Sequence, residues 1–371
     1  MPNLTSTPDR VNRGAWLLAE HTDDVLVIPL RYAKREALRL AKVVQSHARL
    51  ASNQYLPRRG GGDVTTTQPH DKSAHRRLTW RGHGGVELVA DDWGLGDPVI
   101  LLHGGGQTRH SWKALVQRLS EIGRRVIAPD LRGHGDSGHA PDGDYGTDAY
   151  VGDLHALLDV IGRPAALVGA SLGGIIALVT VGEDEPGGQD IAAALVLLDV
   201  APRLETPGTQ KIFEFMTSHP NGFENLAEAK RAVEAYRPGQ RDDGRPSRGL
   251  IRNLREGTDG RLRWHWDPQI LNEITNTTAA ERANRLAADA RRVRVPTLLV
   301  RGADSDVLST EGARQFLDLV PHSRYLEIAG TTHMVAGDSN DDFAIAVIEF
   351  LSAKPYGSDR DDVPPTAEVW P

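Results

Sequence analysis

Three short stretches hold residue types that could supply a nucleophile, a base and an acid. The first is VGASLGG, Val168 to Gly174, where Ser171 sits among small residues between two apolar runs, Ala165 to Val168 and Ile175 to Leu178. If the first run is a strand and the second a helix, the chain must reverse within very few residues. Gly169-Ala170-Ser171-Leu172-Gly173 then has the G-x-S-x-G form of a nucleophile elbow. At such a turn the serine backbone is cramped, its neighbours must be small, and its hydroxyl projects above the sheet. The N–H groups that open the helix face any oxyanion formed there.

A serine hydroxyl attacks well only when a base takes its proton and an acid orients that base. His333, in GTTHMVAGD, follows the late strand SRYLEIAG and is the expected base. Its rival, His134 in DLRGHGDS, lies between glycines in what reads as a structural loop, with Asp130 and Arg132 tied by hydrogen bonds. The acid is expected in LLVRGADSDVLS. Asp306 is preferred there over Asp304, which is nearer the turn and suited to bonding backbone amides. Asp199, at the end of ALVLLDV, is a third candidate from the neighbouring strand. In LLHGGGQ, the run His103-Gly104-Gly105-Gly106 lets backbone approach a ligand. Gly105 N–H is expected as the first oxyanion donor and Leu172 N–H as the second. The run lacks the lysine and spacing of a phosphate cradle, and His103 reads as a structural histidine.

The elements that must position these groups begin near residue 76. Eight candidate strands follow: RRLTW, GVELVADD, PVILLHG, RRVIAPDL, AALVGAS, AALVLLDV, PTLLVRG and SRYLEIAG. Most are followed by helical patterns, and several are continuous apolar runs suited to burial on both faces. The pattern predicts an α/β fold with a mostly parallel eight-stranded sheet flanked by helices. Reactive groups in such sheets gather at the carboxyl ends of the strands. The alternation stops over 202–285, which reads as helices and loops without strands, a helical cap inserted after the sixth strand. The core is thus expected in two parts, 76–201 and 286–355, with a loose Pro- and acid-rich tail over 356–371.

Residues 1–75 read as a basic helical extension and linker. Between 25 and 59 only Glu36 opposes Arg31, Lys34, Arg35, Arg39, Lys42, Arg49, Arg58 and Arg59. Packing of this segment on the acidic main body, or a partly ordered extension, is the favoured reading, over contact with an anionic membrane or a partner.

The bulk properties narrow the function classes. The 371 residues are 39% hydrophobic and 25% charged, as in ordinary globular proteins. A net charge of −7 argues against nucleic acid as a partner. The absence of cysteine excludes disulfides and thiolate chemistry and fits a cytoplasmic location. No apolar run approaches the roughly 20 residues of a membrane span, and the N-terminus lacks the order of a secretory signal.

Together HGGG, DLRGHGDS, VGASLGG, RGADSDVLS and GTTHMVAGD resemble, in this order, the α/β-hydrolase superfamily over about residues 76 to 355. The likeness is to its bacterial branch related to cofactor-free haloperoxidases, esterases and epoxide hydrolases. The resemblance implies Ser171 as nucleophile, His333 as base, an aspartate from the 304/306 loop, and no cofactor or metal. Epoxide hydrolases of this superfamily carry aspartate at the elbow. Serine instead favours an acyl intermediate, hence an ester, lactone, amide or thioester. A small ester or lactone with an apolar part is expected as substrate, because Phe213, Phe215, Met216, Phe223, Tyr236, Trp264 and Trp266 cluster in the cap. Gly104, Gly106 and Trp112 complete the expected pocket. The cap arginines Arg241, Arg245, Arg248, Arg252 and Arg255 read as a solvated charged face. The expected function is a serine hydrolase. Perhydrolysis and acyl transfer are alternatives at the same site, and a ligand-binding protein on the same fold is an alternative of another class.

Overall fold

The computed structural model describes residues 75–183, 191–236, 248–272, 278–333 and 340–353, and also the backbone of a two-residue strand, Val27–Ile28 (β1). The expected basic helix, the C-terminal tail, Arg241, Arg245 and the Arg248 side chain lie outside the described residues.

All eight strands read from the sequence form. They are β2 (His75–Arg81), β3 (Glu87–Trp93), β4 (Pro98–Leu102), β5 (Arg125–Asp130), β6 (Ala165–Ala170), β7 (Ala192–Leu198), β10 (Thr297–Gly302) and β11 (Arg324–Ile328). The order across the sheet is β1-β11-β10-β7-β6-β4-β5-β3-β2. The pairs β2/β3 and β3/β5 are antiparallel and the rest are parallel.

Every residue of β4, β6 and β10 is buried, because helices cover both faces. Side chains alternate between the faces. Ile100, Leu102, Leu167, Leu195, Leu197 and Leu299 join one core with helices α2 (Thr147–Ile161), α3 (Leu172–Gly182) and α7 (Ala279–Arg292). Val99, Leu101, Val168, Val196, Leu198 and Val300 join the other with helices α1 (Lys113–Glu121) and α8 (Ala344–Ser352).

Register brings the strand ends level. Leu102 pairs with Gly169, Ala170 with Leu198, Leu198 with Val300, and Gly302 with Ile328. The loops that carry HGGG, Ser171, Asp199, Asp304 and His333 therefore leave the same edge. From β4 the chain passes through α1 to β5 on one side, and from β5 through α2 to β6 on the other. The loops after β4 and β6 diverge there and open a crevice at the switch point.

Between β7 and β10 lies a long insert with helices α4 (Thr206–Thr217), α5 (Leu226–Tyr236) and α6 (Arg248–Arg252). It also holds a hairpin, β8 (Leu254–Glu256) with β9 (Leu262–Trp264), in a segment read from the sequence as strandless. Each of these strands has only three residues, too few for an alternating pattern to register. The expected boundary at 285/286 falls inside α7, which begins with a capping box between Thr278 and Glu281. Helix α7 belongs to the core, since a Cβ on Gly182 of α3 would stand 2.4 Å from Asp289 O. Among the described residues no helix is long and apolar enough to cross a membrane.

The loop after β5 is pinned by buried charge. Arg132 Nε and Nη2 donate to the two oxygens of Asp153 on α2, each at 2.7 Å, and Arg132 also reaches the carbonyls of Asp144 and His83. Asp130 is tied separately, accepting from Arg109 N and Asp136 N and pairing with the Arg109 guanidinium. Removing one member of a buried pair strands the other charge at a cost of about 3–5 kcal/mol. We expect Arg132→Ala to lose that much in urea denaturation, and a loss below about 1 kcal/mol would show the pair to be incidental.

Candidate active site

Ser171 sits at the β6–α3 turn with φ 48° and ψ −116°, one of two non-glycine residues with positive φ among the described residues. Such backbone costs of order 1–3 kcal/mol and persists only where its surroundings enforce it. They do so through crowding. A Cβ on Gly169 would lie 2.3 Å from Gly173 O, and one on Gly173 would lie 2.2 Å from Leu102 O. The two glycines of G-x-S-x-G are thus required by the close approach of β6, β4 and α3.

The second residue with positive φ is Asp199, at 53°, directly after β7. His333 Nε2 lies 3.2 Å from Ser171 Oγ, and His333 Nδ1 lies 2.7 Å from Asp199 Oδ2. Asp199 and His333 are buried. Asp199 also accepts from Gly302 N at Oδ1, 3.1 Å, and from Ser305 Oγ at Oδ2, 2.7 Å. Nδ1–H faces the carboxylate, which leaves Nε2 free to take a proton from the serine.

The acid expected from the 304/306 loop is therefore not the one beside the histidine. Asp306 is exposed and pairs with Lys211 at 3.0 Å, while exposed Asp304 donates its backbone N–H to Thr331 O. The left-handed turn at Asp199 swings its carboxylate toward the base. The 304/306 loop instead contributes Ser305 to hold that carboxylate. His134, the rival base, has both ring nitrogens engaged by backbone groups, at Arg132 O and Gly106 N.

The two N–H groups expected as oxyanion donors, at Leu172 and Gly105, belong to the segments on either side of the serine. Leu172 opens α3, so its N–H has no acceptor within the helix. Gly105 N–H has no acceptor among the described residues and is partly exposed. A Cβ on Gly104 would stand 3.4 Å from Ser171 Cβ, so the HGGG loop runs directly against the nucleophile.

Three buried histidines surround this loop, and their ring nitrogens all meet backbone. His103 Nδ1 reaches Gly104 O at 2.8 Å, and its Nε2 accepts from Leu131 N at 3.0 Å. His134 Nδ1 reaches Arg132 O at 3.0 Å, and its Nε2 accepts from Gly106 N at 3.2 Å. His265, in the insert, accepts from Gly135 N at Nδ1, 2.7 Å, and reaches Gly106 O through Nε2 at 3.3 Å. With one nitrogen accepting and the other donating, each ring is neutral and its tautomer is fixed. No ring nitrogen remains to bind a metal. The Gln107 side chain accepts from Gly104 N at 3.0 Å and exchanges two amide hydrogen bonds with Asn340. Sequence reading missed His265, Gln107 and Asn340. The only hint was the unusual WHWDP run around His265.

The expected pocket residues divide into three groups. A Cβ on Gly106 would lie 3.3 Å from Trp266 Cζ3 and 3.6 Å from Met216 Cε, so these two insert side chains rest on the loop. Trp264 stacks on Trp266 at 4.8 Å and meets Phe215 and Phe223, inside the insert. Phe213 is only partly buried and packs against the same cluster. Trp112 is not a pocket residue. It is fully buried at the N-cap of α1, with Leu101, Leu115 and Phe343 in the same cluster.

Burial lowers His103 to about 4, with Arg109 adding to the effect, and lowers His134 to about 3, with His103 adding. His265 is held well below its ordinary value by burial and then by the other two histidines. The unfolded chain binds these protons near pH 6.5 and the folded chain only at lower pH. Stability is thus full above about pH 6.5 and falls toward pH 4, by up to about 1.4 kcal/mol per pH unit for each histidine. We expect the denaturation midpoint to drop from pH 6.5 to 4.5, less steeply in His265→Gln. A flat profile, or equal slopes, would contradict this.

Comparison with known proteins gives the same frame. Residues 99–347 match the profile of the alpha/beta hydrolase family. The sn-1-specific diacylglycerol lipase ABHD11 of Mus musculus is 29% identical over 267 residues, 68% of this chain and 80% of that one. Non-heme chloroperoxidase CPO-A1 of Kitasatospora aureofaciens is 26% identical over 284 residues, 72% of this chain and 97% of that one. Among solved structures, an E-2-(acetamidomethylene)succinate hydrolase superposes with a TM-score of 0.63 at 24% identity, over 75% of this chain and all of that one. By this match over most of its length, the chain belongs to the alpha/beta hydrolase family.

Proposed function

We propose that the chain is a serine hydrolase that cleaves a carboxylic ester or lactone through an acyl-enzyme intermediate. The observation that carries this reading is the continuous hydrogen-bonded line from Ser171 Oγ through His333 to Asp199 at a strained strand–helix turn. In the forward step His333 Nε2 takes the hydroxyl proton as Ser171 Oγ attacks the acyl carbon. Asp199 holds Nδ1–H and offsets the positive charge that forms on the ring. Gly105 and Leu172 N–H groups receive the oxyanion, an interaction worth about 10²–10³ in rate per donor.

His333 then passes its proton to the departing alcohol, leaving Ser171 as an ester. A water, deprotonated by the same nitrogen, attacks that ester and restores the serine. Nucleophile, base and donors all come from the chain, so this chemistry calls for no cofactor. Trp266 and Met216, beside Gly106, form the wall for an apolar part of a small-molecule substrate.

The relatives support hydrolysis by their names, a lipase at 29% identity among them. The chloroperoxidase likeness favours one variant of the reading. Hydrogen peroxide in place of water would attack the same acyl-enzyme and release a peracid.

The test uses p-nitrophenyl esters of increasing acyl length together with simple lactones. Ser171→Ala should lose about 10⁴-fold or more in kcat while melting like the wild type. Asp199→Asn should lose about 10³–10⁴-fold because the imidazole is left in the wrong tautomer. Asp306→Asn should stay within about two-fold, as expected of an exposed ion pair. Equal activity in wild type and Ser171→Ala would remove the serine from the reaction. A folded wild type inert on every substrate would favour a binding role instead.

A further inference from the structure

A run of three glycines is the loosest backbone a chain can supply, yet the proposed reaction needs Gly105 N–H aimed at one point in space. The peptide planes around Gly104, Gly105 and Gly106 each have a dedicated histidine. A trans peptide is planar, so fixing its carbonyl direction fixes its N–H in the opposite direction. His103 Nδ1–H, assisted by Gln107 N at 3.1 Å, holds Gly104 O and thereby orients Gly105 N–H. His134 Nε2 holds the next plane at Gly106 N–H, and His265 Nε2–H holds the third at Gly106 O.

The three rings stand in a row, with centroids 5.1 Å apart between His103 and His134 and 5.8 Å apart between His134 and His265. His103 and His134 lie at strand ends of the core, but His265 comes from the insert, just past β9. On both sides His265 is fixed by its own segment. The ring of Trp266, stacked on Trp264, meets His265 edge-on at 5.4 Å, while Asp267 N–H donates to Gly133 O and its Oδ2 accepts from Tyr145 Oη at 2.6 Å. His265 also bridges from Gly106 to Gly135 N, so it ties the loop after β4 to the loop after β5.

We propose that His265 is a positioning residue of the oxyanion hole, through which the insert sets the Gly104–Gly106 loop for catalysis. This rests on the serine-hydrolase reading for its effect on rate, but the geometric part stands without it. The insert is then more than a wall over the substrate. Displacing the Trp264–Asp267 strap releases the third peptide plane, which carries the Gln107 N–H that helps hold Gly104 O, and so loosens the aim of the donor at Gly105.

The two bonds of His265 can be separated by substitution. A glutamine side chain places an N–H where Nε2–H stood and keeps the bond to Gly106 O. An asparagine places an oxygen where Nδ1 stood and keeps only the bond from Gly135 N. Wild type, His265→Gln, His265→Asn and His265→Ala would be compared for kcat and KM on p-nitrophenyl acetate, thermal melting, and hydrogen exchange of the peptide spanning 103–108.

His265→Ala and His265→Asn should lose about 10²-fold in kcat, the scale of an ångström of misplacement, with KM little changed. Both should exchange faster over 103–108. His265→Gln should recover most of kcat and of the protection. Equal losses in Gln and Asn that follow melting would reduce His265 to a packing role and overturn the proposal. Unchanged exchange in His265→Ala would overturn it whatever the activity. If the wild type shows no Ser171-dependent turnover, the hydrolase reading fails by itself, and the exchange data still decide whether His265 holds the loop.

Discussion

The structure depends on two left-handed turns by residues that bear side chains. Ser171 at φ 48° and Asp199 at φ 53° stand where adjacent parallel strands, β6 and β7, reach the carboxyl edge. Left-handed backbone is disfavoured for any residue with a Cβ. Here the strain is overcome by bonds that the sheet supplies. Ser171 N–H donates to Leu198 O at 3.2 Å and Asp199 N–H to Val300 O at 2.7 Å, so each turn is anchored on the next strand. Shifting the register of β7 would lose both anchors, and shifting that of β6 would lose the one at Ser171; either shift breaks the line from serine to histidine to carboxylate.

The four histidines near the crevice separate into two electrical classes. His333 faces a carboxylate at one nitrogen and a hydroxyl at the other, an arrangement that lets it carry a proton with compensation at hand. His103, His134 and His265 face only backbone groups, and burial keeps them neutral. The same residue type is thus suited to carrying a proton where an anion is provided. Elsewhere it acts as a rigid linker with one donor and one acceptor, which lysine or arginine could not be.

Much of this was legible in the sequence because it is local. The continuous apolar runs mark the central strands, and the glycines around Ser171 mark an elbow whose crowding the structure makes explicit. His333 follows from its place after the last strand. The identity of the acid was not legible. Asp199, Asp304 and Asp306 all end strands at the same edge, and the choice among them turns on a backbone angle at Asp199 that composition does not encode. The histidine clamp was illegible for another reason. His103, His134 and His265 are 31 and 131 residues apart along the chain and meet only through the β4–β5 pairing and the return of the insert. Short strands β8 and β9, rich in arginine, escaped notice because three residues carry too little periodicity.

The measurement that bears most directly on the account is the intact mass of the protein after exposure to an activated p-nitrophenyl phosphonate, followed by peptide mapping. A phosphonyl group mimics the tetrahedral intermediate and is retained only by a nucleophile that is activated and has an oxyanion site. The account predicts a single adduct, carried by the peptide containing Ser171. No adduct on folded protein, or an adduct confined to another residue, would contradict it.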